Sequence, residues 1–228
     1  MAISSASPAI SIPPLENGDI LTREEYERRY SAMPNLKKAE LIEGIVYMAS
    51  PLRFEPHAEP HAHLMIWLGI YKVATSGLRI GDNATVRLDL NNEPQPDIVL
   101  LIDQQYGGQT RISEDGYIEG APELVVEIAA STATIDLRDK KRAYCRNKVQ
   151  EYLVWQVFEN RLDWFVLENE EYIAIKPNSQ GILQSRIFPG LWLDVEALLR
   201  DDMAQVLATQ QLGLTSPEYL QFKENLRQ

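Results

Sequence analysis

The order of helical and extended segments along the chain predicts an α/β or α+β fold, with a mixed β-sheet flanked by a few helices. Apolar residues recur at helical spacing between residues 59 and 77, which predicts a helix with one buried side. The runs DIVLLI (97–102) and LVVEI (124–128) are rich in β-branched residues, as is typical of strands that are covered on both faces. A further helical segment and three strand-like segments follow, so helices and strands contribute to the same core.

The composition is that of an ordinary globular domain. The chain has 228 residues, of which 45% are hydrophobic and 24% are charged, and this is enough to bury a sizeable core. Residues 1–18 are rich in Ser, Ala, Pro and Ile without periodicity, which predicts a mobile arm. We expect one domain over residues 19–200 and a helical extension over residues 201–228.

Cysteine content and hydropathy favour a cytoplasmic protein. Cys145 is the single cysteine, so an intrachain disulfide cannot form and a reducing compartment is expected. The N-terminal sequence MAISSASPAISIPPL lacks the basic segment and the continuous apolar segment of a signal peptide. No apolar run approaches the roughly 20 residues that span a bilayer, so we expect no membrane partner.

The first elements are predicted from capping and turn signals. A capping box at Thr22 and Glu25 predicts a helix over residues 23–30. The segment ELIEGIVYMAS (40–50) indicates one strand interrupted at Gly44, or two short strands that turn there.

The middle of the chain is predicted to change from helix to strand. Pro60 suits the first position of a helix, and Gly77 is a typical residue for the end of one. The alternating segment TVRLDL (85–90) predicts a strand, and a glycine-rich loop is expected over residues 107–116.

The last third is predicted to return to helix and then to strands. We expect a helix that begins at Asp136 and continues to about Asn147. Three strands are predicted after it, with the sequences EYLVWQV, RLDWFVL and EYIAI. The segment 191–199 and the tail from Pro217 are predicted to be helical.

The distribution of charge bears on nucleic-acid binding. The net charge of −11 disfavours such a partner, because Lys and Arg contacts to phosphate drive the binding. Six cations nevertheless lie close together against Asp139 alone: Arg138, Lys140, Lys141, Arg142, Arg146 and Lys148. Arg138, Lys141 and Arg142 are therefore candidate DNA contacts, and the alternative is a solvated helix face.

Glu127 lies inside an apolar strand, which is an unusual position for a carboxylate. A buried carboxylate has to find a cation or take up a proton at considerable cost. Asp97 opens another strand, and Asp136, Lys140 and Tyr144 recur every four residues, so on a helix they share one side. If the two strands are neighbours, two carboxylates and one ammonium group can meet in a small polar site.

Such a site is suited to a hard cation. Two carboxylates can hold Mg²⁺ or Mn²⁺ while water completes the coordination shell. The ion would acidify a bound water and stabilise charge on a phosphoryl oxygen. Lys140 would orient that water or neutralise the transition state.

The motifs in this region resemble those of a known superfamily. QPD at 95–97, VVEI at 125–128 and D-x-x-x-K-x-x-x-Y at 136–144 are similar to the PD-(D/E)XK nucleases, and most of all to the Uma-two family of restriction-endonuclease-like proteins. Four further segments match: E-L-I-x-G at 40–44, Ser50-Pro51, a helix-opening His61, and QEYLVWQ at 150–156. The resemblance covers roughly residues 20 to 165.

The resemblance implies a role for each matching residue. Asp97 and Glu127 would be metal ligands, Lys140 the catalytic lysine, Glu40 a supporting acid, and His61 a residue near the pocket. The chain departs from the pattern in two places. Ala129 stands where a D/E-x-K motif has lysine, and the A-A-S-T loop after Glu127 is one residue shorter than the expected S-x-S-T loop.

Simpler interpretations exist for each of these residues. Asp97 also suits a turn after Pro96, Lys140 an exposed helix position, and Asp136 a helix N-cap. Glu40 and Glu43 compete for the supporting role. Three histidines within seven residues also raise a zinc site as an alternative: they are His57, His61 and His63.

Three functions follow from these alternatives. The first is a metal-dependent endonuclease that acts on DNA. The second is a nuclease-fold protein without cleavage activity that binds nucleic acid or a protein partner. The third is a two-carboxylate hydrolase such as a glycosidase, with Glu127 and Asp97 as acid and base. The sequence leaves the oligomeric state open, although a homodimer would let two sites act on two strands.

Overall fold

A computed structural model of the chain describes residues 12–49, 51–130 and 133–226. The helices are α1 (Arg23–Ser31), α2 (Glu59–Ala74), α3 (Ala133–Ile135), α4 (Lys141–Arg146), α5 (Val195–Leu199), α6 (Met203–Gly213) and α7 (Pro217–Asn225). Two π-helical turns, Phe54–Ala58 and Asp136–Lys140, and a 3₁₀ turn, Gln104–Tyr106, accompany them. The strands are β1 (Ala39–Ile42), β2 (Ile45–Met48), β3 (Leu78–Asp82), β4 (Val86–Arg87), β5 (Ile98–Ile102), β6 (Arg111–Ile112), β7 (Ile118–Glu119), β8 (Leu124–Ala129), β9 (Glu151–Gln156), β10 (Arg161–Glu168), β11 (Glu171–Ala174), β12 (Ile182–Gln184) and β13 (Trp192–Asp194).

A six-stranded mixed sheet forms the centre of the molecule, in the order β11-β10-β9-β8-β5-β3. β8 and β9 run parallel, and the other neighbouring strands run antiparallel. A parallel pair needs a crossover connection. Residues 133–146, which comprise α3, the second π-helical turn and α4, supply it between β8 and β9. The predicted fold class, a mixed sheet flanked by helices, is confirmed.

The two faces of this sheet pack against different elements. Because side chains alternate along a strand, one face of β5 and β8 carries even-numbered apolar residues and the other odd-numbered ones. The even-numbered set packs with α2 and the C-terminal helices: Ile98, Leu100, Leu124, Val126 and Ile128. The odd-numbered set packs with tyrosines of α4 and β9: Val99, Leu101, Val125 and Ala129, against Tyr144 and Tyr152. Asp97 and Glu127 have odd numbers and so belong to the second face.

The β1–β2 hairpin and α1 form a smaller cluster beside the sheet. Thr22 accepts the Glu25 N–H at 3.4 Å, so the predicted N-cap and its helix are confirmed. The Glu25 carboxylate pairs with Arg28 and Arg29, so the second bond of the predicted capping box is replaced by ion pairs. Gly44, with φ of 76°, sits in the turn between β1 and β2, which agrees with the prediction of two short strands. Within the segment predicted to be an arm, Leu15 is buried in this cluster; residues 1–11, like Ser50, lie outside the described residues.

Three predicted elements are wrong in extent. The strand predicted over residues 85–90 is limited to β4, because the Asp89 carboxylate accepts the Asn91 N–H at 2.7 Å and turns the chain. The helix predicted over residues 191–199 is replaced at its start by β13, and the Asp194 side chain then caps α5. The helix predicted from Asp136 already exists at residue 133, so Asp136 is an interior residue rather than the N-cap.

The C-terminal helices share the main core. Trp67 on α2 donates its indole N–H to the Gln210 side chain on α6 at 2.9 Å. The Tyr219 hydroxyl on α7 donates to the Ala74 carbonyl at 2.7 Å. The helix predicted from Pro217 is confirmed as α7. No helix in the described part of the chain is long and apolar enough to cross a membrane.

Candidate active site

Asp97 and Glu127 face each other across two neighbouring strands. In the antiparallel pairing of β5 with β8, Ile98 lies opposite Val126. Asp97 precedes Ile98 by one residue and Glu127 follows Val126 by one, so their side chains share one face with Cβ atoms on the order of 5 Å apart. Both residues are buried, with 4% and 3% of their surfaces exposed. The predicted meeting of the two carboxylates therefore follows from strand order and register.

Lys140 points from the crossover helix into this pair. Its Nζ lies 3.0 Å from Oε1 of Glu127, 2.9 Å from Oε1 of Glu40 and 3.6 Å from Oδ1 of Asp136. One turn further on, the Tyr144 hydroxyl donates to the same Glu127 oxygen at 2.8 Å. Lys140 and Tyr144 of the predicted stripe thus face the sheet at Glu127. Ser131 and Thr132, which belong to the short loop after Glu127, lie outside the described residues.

The structure separates the two glutamates that competed for the supporting role. Glu40 lies on β1, and its Oε1 accepts both Lys140 and the Gln95 N–H, the latter at 2.7 Å. Glu43 lies in the hairpin turn with φ of 53°, and its Oε1 pairs with Arg146 at 2.7 Å. Glu40 is therefore the glutamate at the site.

Asp97 is held in its ionised form by one backbone N–H and two basic side chains. The Ile128 N–H donates to its Oδ2 at 2.7 Å, and its Oδ1 lies 3.3 Å from His57 Nε2 and 3.6 Å from Lys38 Nζ. Burial raises the pKa of Asp97, but the contacts with His57, Lys38 and the Ile128 N–H outweigh it and lower that pKa to about 2. Asp97 is thus an anion at neutral pH.

The surroundings of Glu127 shift its pKa upwards, in contrast to those of Asp97. Burial raises its pKa to about 8; Lys140 opposes the rise, and the neighbouring carboxylates of Asp136, Asp97 and Glu40 add to it. Negative charge is therefore in excess around Glu127. A positive charge close to Glu127 would relieve the repulsion and favour its ionised form.

Histidines line the side of the site next to α2. His61 Nε2 lies 3.1 Å from the Asp97 carbonyl oxygen and 3.1 Å from Oδ1 of Asp82, so the residue predicted to be near the pocket is close to Asp97. His57 stacks on His61 with ring centroids 6.0 Å apart. His63 points away, towards Asp201 at 3.5 Å. His57 and His61 thus lie together beside Asp97, and His63 lies apart from them.

Sequence reasoning missed Lys38 and the contact of His57 with Asp97. Lys38 stands two residues before Glu40, and residues at this spacing in an extended chain point to the same side. The spacing of Lys38 from Glu40 is thus the feature of the sequence that indicates Lys38 as a residue of the site. His57 is turned inward by the first π-helical turn, for which the sequence carries no recognised signal.

The sequence of the chain matches a known protein family. A model of the Uma2 family, described as "Putative restriction endonuclease", matches residues 23–196, which is more than half of the chain. The chain belongs to the Uma2 family. None of the curated proteins matches the sequence.

A solved structure shares the fold. A crystal structure described as that of a "putative nuclease belonging to DUF820" from Anabaena variabilis ATCC 29413 is similar with a TM-score of 0.55 and 14% sequence identity, over 76% of this chain and 96% of that one. At this identity the similarity concerns the fold alone. The predicted resemblance to the Uma-two family is confirmed by the family match.

The cations predicted to contact DNA are mostly engaged within the protein. Arg142 donates to Asp139 at 3.0 Å, and Lys141 Nζ lies 3.4 Å from the centroid of the Phe165 ring. Two more cations of this run form ion pairs at 2.7 Å: Arg146 with Glu43, and Lys148 with Glu170. Arg138 is exposed and forms no ion pair with any residue that the structure describes. The run is therefore not an open basic surface.

A surface cleft of about 480 Å³ lies apart from the site and is lined by Arg23, Arg87 and residues of the segment 104–111. Arg87 is paired there with Asp115 and with Glu27, each at 2.8 Å. Its charge is already compensated, and the candidate site residues do not line the cleft. The candidate site residues lie in the buried cluster around Glu127 instead.

The carboxylates of the site fit a hard divalent cation. Mg²⁺ is commonly bound through one or two carboxylates and keeps several waters. Asp97 and Glu127 supply two such groups on adjacent strands, and the excess of negative charge around Glu127 is compatible with a further cation. Within residues 12–49, 51–130 and 133–226, no three His, Cys, Asp or Glu side chains form a ready-made metal cluster. The described residues therefore offer a cation two carboxylates, Asp97 and Glu127, and water would have to complete its coordination shell.

Proposed function

We propose that the protein is a divalent-metal-dependent endonuclease of the PD-(D/E)XK type that hydrolyses phosphodiester bonds in DNA. The observation that carries the proposal is the position of Lys140, 3.0 Å from Glu127 at the point where Glu127 faces Asp97. Two facing carboxylates can hold a divalent cation, and a lysine beside them supplies fixed positive charge to a phosphoryl group. The membership of a family described as "Putative restriction endonuclease" supports the same conclusion.

Asp97 and Glu127 are the residues that would hold the metal, Mg²⁺ or Mn²⁺. When bound, such an ion supplies positive charge to a phosphoryl oxygen and lowers the pKa of a coordinated water. The contacts of Asp97 with His57, Lys38 and the Ile128 N–H keep its carboxylate ionised and oriented.

Lys140 provides the fixed positive charge. Its ammonium group would orient the attacking water or neutralise charge that develops on the phosphate. Glu40 holds the ammonium group at 2.9 Å, and the Gln95 N–H holds Glu40 in turn. Tyr144 fixes the Glu127 carboxylate from the helix side. Glu40, Asp136 and Tyr144 are thus positioning residues in this scheme.

The second candidate is a nuclease-fold protein that binds nucleic acid or a protein partner without cleavage. Two observations favour it. The chain carries a net charge of −11, and the cations of the 138–148 run are mostly paired with acids or covered. Both features weaken affinity for a polyanion.

Plasmid nicking distinguishes the two candidates. We expect the wild-type protein to cleave with Mg²⁺ or Mn²⁺ and not with chelator. Asp97→Asn and Lys140→Gln should each reduce cleavage by on the order of 100-fold or more, because each removes a charge that the transition state requires. The exposed Glu196→Gln is the control and should cleave like the wild type.

The possible results of this experiment distinguish an error in the proposed metal ligands from an absence of cleavage activity. Metal-dependent cleavage that persists in Asp97→Asn would contradict the proposed ligands. If folded wild-type protein gives no cleavage with any metal, the second candidate is favoured. Fluorescence-detected DNA binding across a salt series then measures whether nucleic acid is its partner.

A further inference from the structure

The solvent side of α2 is apolar. Its inner side packs into the core through Leu64, Trp67, Leu68 and Tyr71. The outer side carries Ala62, Ile66, Gly69, Ile70 and Val73, which we call the α2 outer face. Ile66 and Val73 expose 49% and 82% of their surfaces. A contiguous apolar patch on a protein surface often marks a site of interaction with another molecule.

The polar side chains of this helix lie on its flanks or at its start. His61 contacts Asp97 and Asp82, and His63 contacts Asp201, so both are directed to neighbouring elements. At 100° per residue, Lys72 is well to one side of Val73. Glu59, the first residue of α2, lies on the side of Ile66, and from Pro60 to Ala74 the α2 outer face carries no charged side chain.

Gly69 has no role in the packing of the described chain. A Cβ added at this position would meet no atom within 4 Å, and φ is in the ordinary helical range. Glycine is the least favourable helix residue after proline, so it weakens α2 without an intramolecular benefit. A reason for glycine has to be sought outside the single chain.

The order of side chains along the α2 outer face is self-complementary. Ala62, Ile66, Gly69 and Val73 alternate between small and large. If a second α2 runs antiparallel across a two-fold axis, Ala62 meets Val73 of the other copy, and Ile66 meets Gly69. Each large side chain then has a small one opposite it. A two-fold interface requires this reciprocity, because each contact occurs twice.

We propose that the α2 outer face is the contact surface between two copies of this chain, with the two α2 helices antiparallel. The opposed helix dipoles are compatible with this arrangement. A helix of 16 residues is about 24 Å long, so the helix pair alone buries less than the roughly 800 Å² per partner of a standard interface. The dimer should accordingly dissociate on dilution.

Light scattering coupled to size exclusion, run on the full chain over a wide concentration range, tests the assignment. We expect the wild type to change from dimer to monomer on dilution. Ile66→Glu and Val73→Glu should be monomeric throughout, because each buries a charge at the interface. Leu220→Glu, at a half-exposed position on α7 outside this face, should behave like the wild type. A wild type that is monomeric at every concentration would overturn the proposal.

Gly69→Ala gives the sharper test, because it should stabilise the monomer and weaken the dimer. The melting temperature of the dilute monomer should rise, since alanine favours the helix and meets no neighbour. The dimer dissociation constant should rise at least tenfold, since the added methyl group occupies the space of Ile66 from the other copy. A melting temperature that rises while the dissociation constant stays the same would overturn the antiparallel arrangement.

Discussion

Among single residues, Lys140 explains how several carboxylates can be buried together. Its ammonium group contacts Glu127, Glu40 and Asp136, and burial of the lysine is offset by these three charges, which raise its pKa well above the usual value. Removal of one partner from a buried charge network leaves the others uncompensated. The cluster is thus stable as a unit, and its geometry depends on every member.

Glu151 is a buried carboxylate that lies outside the candidate site. It is fully buried on β9 and accepts four hydrogen bonds, from the N–H groups of Arg186 and Ile187, the Ser185 hydroxyl and the Trp164 indole. Burial raises its pKa to about 7, although these donors oppose the rise. Glu151 therefore holds the segment 185–187 against the sheet.

This carboxylate predicts a pH-dependent stability. Native Glu151 keeps a proton that the unfolded chain releases, so its contribution is present below about pH 4.5 and is lost as the pH rises to about 7. The loss is about 3 kcal/mol, at about 1.4 kcal/mol for each pKa unit. The difference in unfolding free energy between the wild type and Glu151→Gln should decrease over this window in urea denaturation. Glu196→Gln is the exposed control, and a pH-independent difference for Glu151→Gln would contradict the prediction.

At the scale of elements, two glycines in helices have opposite surroundings. Gly69 on α2 faces open space. Gly213 ends α6, and a Cβ there would overlap the Gly190 carbonyl oxygen and approach Trp192 Cγ to 2.9 Å. Gly190 itself has φ of 82°. The end of α6 and the turn before β13 thus approach each other through their backbones.

Gly213→Ala should therefore destabilise the protein, although alanine is the better helix former. We expect a loss of about 3 kcal/mol, as for overpacking at a site that cannot relax. Gly69→Ala, measured where the protein is monomeric, should instead gain up to about 1 kcal/mol. Chemical denaturation of the two variants checks the contrast. Equal effects would mean that the contact between residues 190 and 213 is not tight.

At the scale of the whole molecule, the core extends beyond the family match. The Uma2 match ends at residue 196, whereas Val206, Tyr219 and Leu226 belong to the same buried cluster as Trp67. The predicted helical extension is therefore packed on α2 and covers part of the core. The family segment without α6 and α7 would expose this apolar surface.

A chain that ends after Asp202 should lose its cooperative fold. The truncation removes the Gln210 partner of Trp67 and uncovers several core side chains, which promotes aggregation. Near-ultraviolet circular dichroism and thermal unfolding measure the effect. Leu220→Ser, on the exposed side of α7, is the control and should leave both signals unchanged. A truncated chain with a sharp transition would show that α6 and α7 are dispensable.

Features that depend on local periodicity could be predicted from the order of the amino acids alone. The strand-like runs that became β5 and β8, and the stripe of Asp136, Lys140 and Tyr144, follow from spacing along the chain, so the fold class and most of the candidate site could be predicted. The N-cap at Thr22 could be predicted for the same reason.

Contacts between distant segments could not be predicted in this way, because they depend on how the elements pack. Lys38 reaches Asp97 because the hairpin packs beside the sheet, and the choice of Glu40 over Glu43 depends on which side of β1 faces Lys140. The basic run is neutralised by Glu43 and Glu170, residues far from it in sequence. Ion pairs and burial depend on positions in space, which the spacing of residues within one segment does not specify.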